Sequence, residues 1–389
     1  MLINVPLNIH DQLINDTSFK EKFKTKVIDK VKSNYKNFEK STGKSDGAFN
    51  IVKYISVDDI EEILLGSIFN NTNIPFIDNY RKTVTFAEVD FYERVSEYKK
   101  TICTPCKDEF YLKKYYEAYN NEFLGKILAN SYKNDPGKKI SEEILTEKGF
   151  KNLQAKVKKH LEKFNKDVGE IFGFYNEYIS NGGLRAQILH STNITVCPYC
   201  NRQYTTPFYI EGEEKIQADL EHFYPKSKYP LFALSIMNFI PSCLFCNRNL
   251  KANKIFDNLY FIKDTMNHTK VFTDGFNDYN QLMGFSNSKI SIDIDSLGGD
   301  DILKKIDLYY YKKTYYLDEI YASHSELISD LKKKKSIYNK DYMKEFSKNM
   351  KTDLHDMDLD NFIFGYNGSE EELLNRPLSK LVQDLILNT

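Results

Sequence analysis

The sequence predicts an α+β protein in which mostly helical flanking regions surround a small ββα module. Two Cys-x-x-Cys pairs lie in the middle of a chain of 389 residues, and short β-prone segments lie between them. Apolar residues on either side recur every three or four positions, as they do along a helix. We expect a helical N-terminal domain (1–185), the module (186–260) and a mainly helical C-terminal region (261–389), because this length can form two or three cores.

The N-terminal region shows helical periodicity in several places. Apolar residues recur every four positions from Phe19 to Val31, and the segment 108–132 has helical spacing. Ser56 resembles the start of a capping box ahead of Ile60. The clearest helix runs from about Lys151 to Ser180. Its many lysines predict either a solvated face or a surface that faces phosphates.

The central module has the order of a ββα unit. Tyr204–Ile210 is β-prone, and the alternating segment Lys215–His222 follows a turn. After a loop, Asn238–Cys243 is a second candidate strand, and Cys246–Lys254 suits a short helix. In the C-terminal region we predict a strand over 288–295, helices from about Asp301, and a last helix capped by Ser369.

The two Cys-x-x-Cys pairs are spaced as zinc knuckles. Cys197 and Cys200 form one pair, and Cys243 and Cys246 form the other. Four thiolates fill a tetrahedral zinc site and leave no position open, so the predicted zinc is structural. The alternative is two pairs of buried free thiols. The third pair, Cys103 and Cys106, is interpreted as free thiols at a turn.

The composition limits the binding partners and the cellular compartment that we expect for this protein. The net charge is −1, so any basic surface that binds nucleic acid must be local. All six cysteines lie in such pairs, and the first residues lack a signal-peptide pattern, so we predict a reduced, cytoplasmic protein. The most apolar run, Tyr229–Phe245, is interrupted by prolines and Asn238, which predicts a core segment and no contact with a membrane.

An acid, a histidine and two asparagines make the module a candidate for chemistry. His222 could take a proton from water. The side-chain oxygens of Glu221 and Asn247 are hard ligands that suit Mg²⁺ or Mn²⁺. Strict alternation would put Glu221 and His222 on opposite faces, so both reach one metal only if the strand ends or bulges there, and Pro225 favours an end. If the strand instead runs on, Asp219 shares the face of Glu221 and competes as a ligand. The predicted phosphate-attracting residues on the next helix are Arg248, Lys251 and Lys254. Together these are the parts for metal-assisted phosphodiester hydrolysis.

The stretch containing Cys-x-x-Cys, Leu-Glu-His-Phe-x-Pro-Lys-Ser and Asn-Phe-Ile-Pro-x-Cys-x-x-Cys-Asn resembles an HNH endonuclease of the ββα-metal class with a zinc-knuckle frame. The resemblance implies that His222 is the general base and that Glu221 is the adjacent metal ligand. It also implies that Asn238 orders the loop and orients the base, and that Asn247 takes the last ligand position. The single Mg²⁺ or Mn²⁺ ion would stabilise the scissile phosphate and the leaving oxygen.

The placement of this module between helical regions is similar to that in HNH nucleases of bacterial antiphage systems of the Septu and retron-associated types. The resemblance to the HNH family favours DNA over RNA as the substrate, and the resemblance to the antiphage systems implies a defence ATPase as a possible partner. Two alternatives stay open. One is a zinc-dependent nucleic-acid-binding module without catalysis, and the other is an interaction protein whose nuclease is triggered by a partner.

Overall fold

The structure is a computed structural model that describes residues 5, 9–42, 49–69, 71–101, 106–132, 136–181, 183–210, 213–216, 218–257, 270–293, 299–350, 361, 363–366 and 369–387. Most of these residues are helical, and the strands form two-stranded antiparallel sheets. The predicted α+β class with mainly helical flanks is therefore confirmed at this level.

Eleven helices are described ahead of the module. They are α1 (Asp11–Asn15), α2 (Thr17–Phe23), α3 (Asp29–Thr42), α4 (Ile60–Leu65), α5 (Pro75–Glu88), α6 (Phe91–Lys99), α7 (Asp108–Tyr119), α8 (Glu122–Ser131), α9 (Pro136–Glu143), α10 (Glu147–Phe172) and α11 (Arg185–Ser191). Short π-helical segments cover Lys24–Ile28 and Asn176–Ser180, and a 3₁₀ turn covers Ile51–Lys53.

The long helix α10 shows how the apolar pattern becomes packing. Thr146 caps its first turn by accepting a hydrogen bond from the backbone of Gly149. The apolar stripe from Phe150 to Phe172 is buried along the whole helix, as predicted. The helix ends at Phe172 rather than at the predicted Ser180, because the chain bends at Gly173 before the π-helical segment.

The segment 108–132 is helical, as its spacing predicted. It divides into α7 and α8, because the side chain of Asn121 caps α8 by accepting from the backbone N–H groups of Phe123 and Leu124. The prediction for Ser56 needs correction. Ser56 is not the N-cap of α4. Its backbone N–H and hydroxyl instead donate to the carboxylate of Asp59, the residue that precedes the helix.

Within the described residues, the strands form three separate two-stranded sheets. They are β1 (Pro207–Ile210) with β2 (Glu213–Ile216), β3 (Asp219–His222) with β4 (Phe239–Ser242), and β5 (Phe272–Gly275) with β6 (Lys289–Ile292). The predicted single strand over 215–222 was wrong, because β2 and β3 belong to different sheets. The predicted strands at 238–243 and 288–295 are confirmed by β4 and β6, with Ile294 outside the described residues.

The C-terminal region continues with helices, as predicted. They are α12 (Tyr279–Leu282), α13 (Ile302–Thr314), α14 (Leu317–Ala322), α15 (Ser325–Ile337), α16 (Lys340–Met350), α17 (Glu370–Asn375) and α18 (Ser379–Val382), followed by a π-helical segment at Gln383–Leu387. Ser369 caps α17 by accepting a hydrogen bond from the backbone of Glu372, as expected.

One connected apolar core contains residues from all three predicted ranges, from Val5 to Ile386. The helical flanks therefore pack directly on the module, and the domain limits near 185 and 260 stay predictions. In the part of the chain that the structure describes, no helix is both long and apolar enough to cross a bilayer.

Candidate active site

Four cysteines converge at one point between the strands and the helices. The sulfur atoms of Cys197, Cys200, Cys243 and Cys246 all lie within 4.8 Å of one another, and all four side chains are buried. A tetrahedral zinc ion with Zn–S bonds of about 2.3 Å requires sulfur atoms roughly 3.8 Å apart, so this donor set fits zinc. The structure thus brings together the four predicted ligands, which could hold a metal such as zinc.

The C-terminal region holds the first knuckle in place. Asn201, directly after Cys200, takes the left-handed conformation with φ of 48° and is fully buried. Its amide donates to the carbonyl of Leu373 at 2.9 Å and accepts from the backbone of Lys380 at 3.0 Å. The hydroxyl of Tyr321 donates to the carbonyl of Cys200 at 2.5 Å. The knuckle therefore depends on helices far along the sequence, which its local motif did not indicate.

The second knuckle starts a short helix, the knuckle helix (Phe245–Lys251), which has π-helical hydrogen bonding. The backbone N–H of Cys246 points at the sulfur of Cys243, 3.4 Å away. The helix ends at Ala252, a non-glycine residue with φ of 45° and ψ of −115°. The predicted helix over 246–254 is confirmed for its first six residues, and it directs its polar side chains at β3.

Strand β3 carries three acid or histidine side chains, all largely buried. Asp219 pairs with Ser242 of β4, Glu221 with Ile240, and His222 with Phe239. The strand ends at His222, directly after Glu221, and Asp219, Glu221 and His222 all line the same cavity. Asp219 and Glu221 bind different side chains, so the two carboxylates have different roles.

Asp219 is bound by arginine and asparagine side chains. Arg248 donates to both of its oxygens, through Nε at 2.8 Å and Nη2 at 2.9 Å. The amide of Asn247 donates to Oδ2 at 3.0 Å, and Nη2 of Arg185 lies 3.5 Å from Oδ1. Asn247 thus contacts Asp219, and no contact with Glu221 is present among the described hydrogen bonds.

Glu221 forms a buried ion pair with Lys251. The two charged atoms are 2.5 Å apart, and their side chains are 7% and 0% exposed. Lys251 also donates to the carbonyl of His222 at 2.9 Å. Burial raises the pKa of the Glu221 carboxyl above its usual value, although the ammonium group acts in the opposite direction. Lys251 is therefore inside the site rather than on a surface that phosphates could reach in this conformation.

His222 is held as a neutral imidazole. Its Nε2–H donates to the carbonyl of Ala233 at 3.0 Å, and its ring packs edge-on against Tyr175 and Phe239. Desolvation lowers the pKa of His222 to about 3. Because Nε2 carries the proton, the lone pair lies on Nδ1, and this tautomer can accept a proton.

Asn238 lies behind His222 and ties the loop between the two strands. Its Oδ1 accepts from the backbone of Tyr224 at 2.8 Å, and its Nδ2 donates to the carbonyls of Tyr224 and Phe232, both at 3.0 Å. Phe232 immediately precedes Ala233, whose carbonyl accepts the His222 proton. This geometry agrees with the loop-ordering role that the resemblance implied.

A cavity of about 380 Å³ opens in front of these side chains. Its walls include Glu221, His222, Asn247 and Arg248, so four of the predicted site residues meet there. Asn238 lies behind His222, and Lys254 bonds the carbonyl of Leu250 at 2.7 Å without lining the cavity.

Sequence reasoning missed other parts of the cavity wall. Arg185 comes from helix α11, outside the predicted module, and Tyr175 and Lys226 also line the cavity. Arg185 lies 34 positions before Asp219, and no local pattern connects them. Only the fold, which brings α11 within reach of Ala218 and Asp219, places the guanidinium here.

The remaining candidates lie elsewhere. Cys106 is an exposed free thiol, whereas Cys103 lies outside the described residues, as do His355, Asp356, Asp358 and Asp360, a group of polar residues close together in the sequence. His324 is half-buried and accepts a hydrogen bond from Nε of Arg202 at 2.9 Å.

In comparisons with known proteins, no protein-family model, no curated protein and no solved structure matches this chain. Within the described ranges, the four cysteines are also the one group of three or more cysteine, histidine or carboxylate ligands close enough to share a metal.

Proposed function

We propose that this protein is an HNH-type endonuclease that uses Mg²⁺ or Mn²⁺ to hydrolyse phosphodiester bonds, with DNA as the favoured substrate. The observation that carries the proposal is the meeting of Glu221, His222 and Asn247 at one cavity beside a four-cysteine cluster. The order β3, loop, β4 and knuckle helix is the order of a ββα unit. Each of the three side chains has a role in metal-assisted hydrolysis.

In the proposed reaction, His222 removes a proton from the attacking water. The lone pair on Nδ1 provides the acceptor for this proton, and the carbonyl of Ala233 fixes the ring. Asn238 positions that carbonyl through its hydrogen bond to Phe232. Glu221 and Asn247 would hold the catalytic ion, whose chemistry is to stabilise the charge that develops on the leaving oxygen.

The broader role is proposed from the resemblance alone. A defence function beside an ATPase would suit a chain whose net charge of −1 provides little general attraction for DNA. In that case a partner would deliver the substrate or would activate cleavage at the cavity.

Plasmid cleavage tests the nuclease proposal. Purified protein that retains zinc should nick or linearise plasmid DNA with Mg²⁺ or Mn²⁺, and His222→Ala and Glu221→Ala should each lower the rate by at least about 100-fold. Asn253→Ala is the matched control, because this exposed residue lines the cavity without contacting either side chain. Equal cleavage by wild type and His222→Ala would refute the assigned role of His222.

The second candidate is a nucleic-acid-binding zinc module without catalysis. The Lys251–Glu221 ion pair favours it, since the proposed metal ligand already has a buried cationic partner. Such a module would bind DNA equally with and without Mg²⁺ and would not cut it. Mg²⁺-dependent cleavage that disappears in Glu221→Ala, with DNA binding retained, would exclude this candidate.

A further inference from the structure

We propose that Arg185 and Arg248 form a clamp for the phosphodiester backbone at the cavity, and that Asp219 is the positioning residue that aims both guanidinium groups. The clamp deepens the proposed nuclease function and rests on it for the identity of the ligand. Arg185 lies outside the ββα unit, so the clamp joins helix α11 to the knuckle helix.

The two guanidinium groups retain donors for a ligand. A guanidinium carries five N–H donors in a planar fork. Arg248 uses Nε and one N–H of Nη2 on Asp219. Arg185 uses its Nη2 group on the carbonyl of Ala218 at 2.6 Å and on Asp219. Among the described residues neither side chain has another acceptor, so each guanidinium keeps three N–H donors for an anion.

Asp219 fixes the geometry of this pair. Its side chain is 9% exposed, whereas those of Arg185 and Arg248 are 31% and 65% exposed. A buried carboxylate thus holds two partly exposed cations, and Asn247 donates to the same carboxylate at 3.0 Å. Two arginines around one acid leave a surplus of positive charge, and a preordered guanidinium loses less entropy when it binds phosphate.

The clamp lies beside the proposed chemistry. Arg185, Asp219 and Arg248 line the same cavity as Glu221 and His222. A third cation, Lys226, contributes to the wall and lies over the ring of Tyr175 at 4.6 Å. A phosphate held by planar, bidentate donors at this wall would lie next to the base, which is the arrangement that cleavage of a backbone requires.

The test is nucleic-acid binding by the zinc-loaded full chain in buffer without Mg²⁺ or Mn²⁺. Fluorescently labelled duplex DNA, single-stranded DNA and duplex RNA are titrated at several salt concentrations. With the tightest-binding probe, Arg185→Ala and Arg248→Ala should each weaken binding on the order of tenfold. For a duplex DNA probe, each substitution should also make the negative slope of log binding constant against log salt concentration shallower by about 0.9. The matched control, Lys126→Ala, removes an exposed cation from α8, which does not line the cavity.

The variant Asp219→Asn distinguishes two roles for Asp219, repulsion of phosphates and positioning of the arginines. The two roles predict changes of nucleic-acid affinity in opposite directions. Removing an acid from a nucleic-acid-binding surface should tighten binding if Asp219 only repels phosphates. If Asp219 aims the arginines, binding weakens and the salt slope falls, although the net charge becomes more positive. Adding Arg248→Ala to Asp219→Asn should then weaken binding less than Arg248→Ala does in the wild type.

Failure of the clamp and failure of the nuclease function give different results. The clamp would be overturned if both arginine variants bound nucleic acid with the affinity and salt slope of the wild type, even if plasmid cleavage is intact. Tighter binding by Asp219→Asn would overturn it as well. Weakened binding in all three variants together with no Mg²⁺-dependent cleavage would support the clamp and refute the nuclease. No binding of any probe by the wild type would overturn the clamp.

Discussion

The ammonium nitrogen of Lys251 lies 2.5 Å from a carboxylate oxygen of Glu221, and both side chains are buried. Lys251 thus places a positive charge at the carboxylate that the proposed reaction uses to bind a divalent cation. Without a compensating cation, a buried carboxylate is costly, so the lysine stabilises the site in its metal-free form. The same contact means that a divalent cation at Glu221 must compete with Lys251.

Replacing Lys251 should therefore change metal affinity and stability in opposite directions. In Lys251→Met, Mn²⁺ should bind about tenfold more tightly, because the competing charge is gone. The metal-free protein should lose roughly 3–5 kcal/mol of unfolding free energy, since Glu221 is left without its partner. Free Mn²⁺ measured by electron paramagnetic resonance reports the first effect, and urea unfolding reports the second.

Lys254→Met is the matched control for this prediction, because Lys254 follows the same helix and bonds only the carbonyl of Leu250 among the described contacts. Mn²⁺ binding that is weaker in Lys251→Met than in the wild type would show that the lysine organises the metal site rather than competing with the metal. Loss of Mn²⁺ binding in Glu221→Gln verifies that the measured site is the proposed one.

The four-cysteine cluster should be required for the fold around it. Cys246→Ser should lose zinc and several kcal/mol of stability, because structural zinc contributes folding free energy directly. The loss should reach the C-terminal helices, since Asn201 bonds the backbone of Leu373 and Lys380. Zinc content measured by atomic absorption, together with hydrogen exchange of the segment 370–387, checks both effects.

Cys106→Ser should leave zinc content and exchange unchanged, because Cys106 is exposed and away from the cluster. If Cys246→Ser retained one zinc ion per chain and wild-type exchange, the cluster would be a group of buried thiols, which is the alternative that the sequence also allowed.

His10 should make the stability depend on pH. It is fully buried, its Nε2–H donates to the carbonyl of Phe239 at 2.8 Å, and burial lowers its pKa to about 4. In the unfolded chain the pKa is about 6.5, so the unfolded state binds more protons between these values. The contribution of His10 is therefore complete above pH 6.5 and is lost as the pH falls towards 4, by on the order of 3 kcal/mol.

Urea unfolding of the wild type and His10→Gln at pH 7 and pH 5 checks this prediction. A glutamine amide can donate to the same carbonyl but does not titrate, so the variant should lose less unfolding free energy over this interval. Equal losses in the two proteins would contradict it.

The sequence predicted the parts of the site that depend on local spacing, and it missed those that depend on packing. The knuckles, the second strand and the helix after Cys243 follow from short patterns. The alternation over 215–222 predicted one strand, because periodicity cannot show where a strand changes its partner. Arg185 and the burial of Lys251 arise from contacts between distant segments, so residue type alone predicted a solvent-facing lysine.

Asn238 should couple the stability of the loop to the orientation of His222. Its amide makes three buried hydrogen bonds, to both backbone groups of Tyr224 and to the carbonyl of Phe232. Asn238→Ala leaves both backbone groups of Tyr224 without a partner, while the carbonyl of Phe232 keeps the backbone N–H of Ser235 as a donor at 3.3 Å. The substitution should therefore lower the unfolding free energy by roughly 2–3 kcal/mol. Asn238→Asp keeps the acceptor for Tyr224 but turns an acceptor towards two carbonyls, so it should also destabilise the loop. Asn253→Ala, at an exposed position on the same cavity, should change stability by less than about 0.5 kcal/mol.

The effect on His222 separates a positioning role from a purely structural one. If Asn238 holds Ala233 in place through Phe232, the imidazole signals of His222 in NMR spectra should shift or broaden in Asn238→Ala under conditions where the protein remains folded. Cleavage should then fall through kcat more than through KM, because a displaced base slows proton removal without weakening substrate binding. An unchanged His222 spectrum with lowered stability would show that Asn238 supports the loop alone and does not position the base.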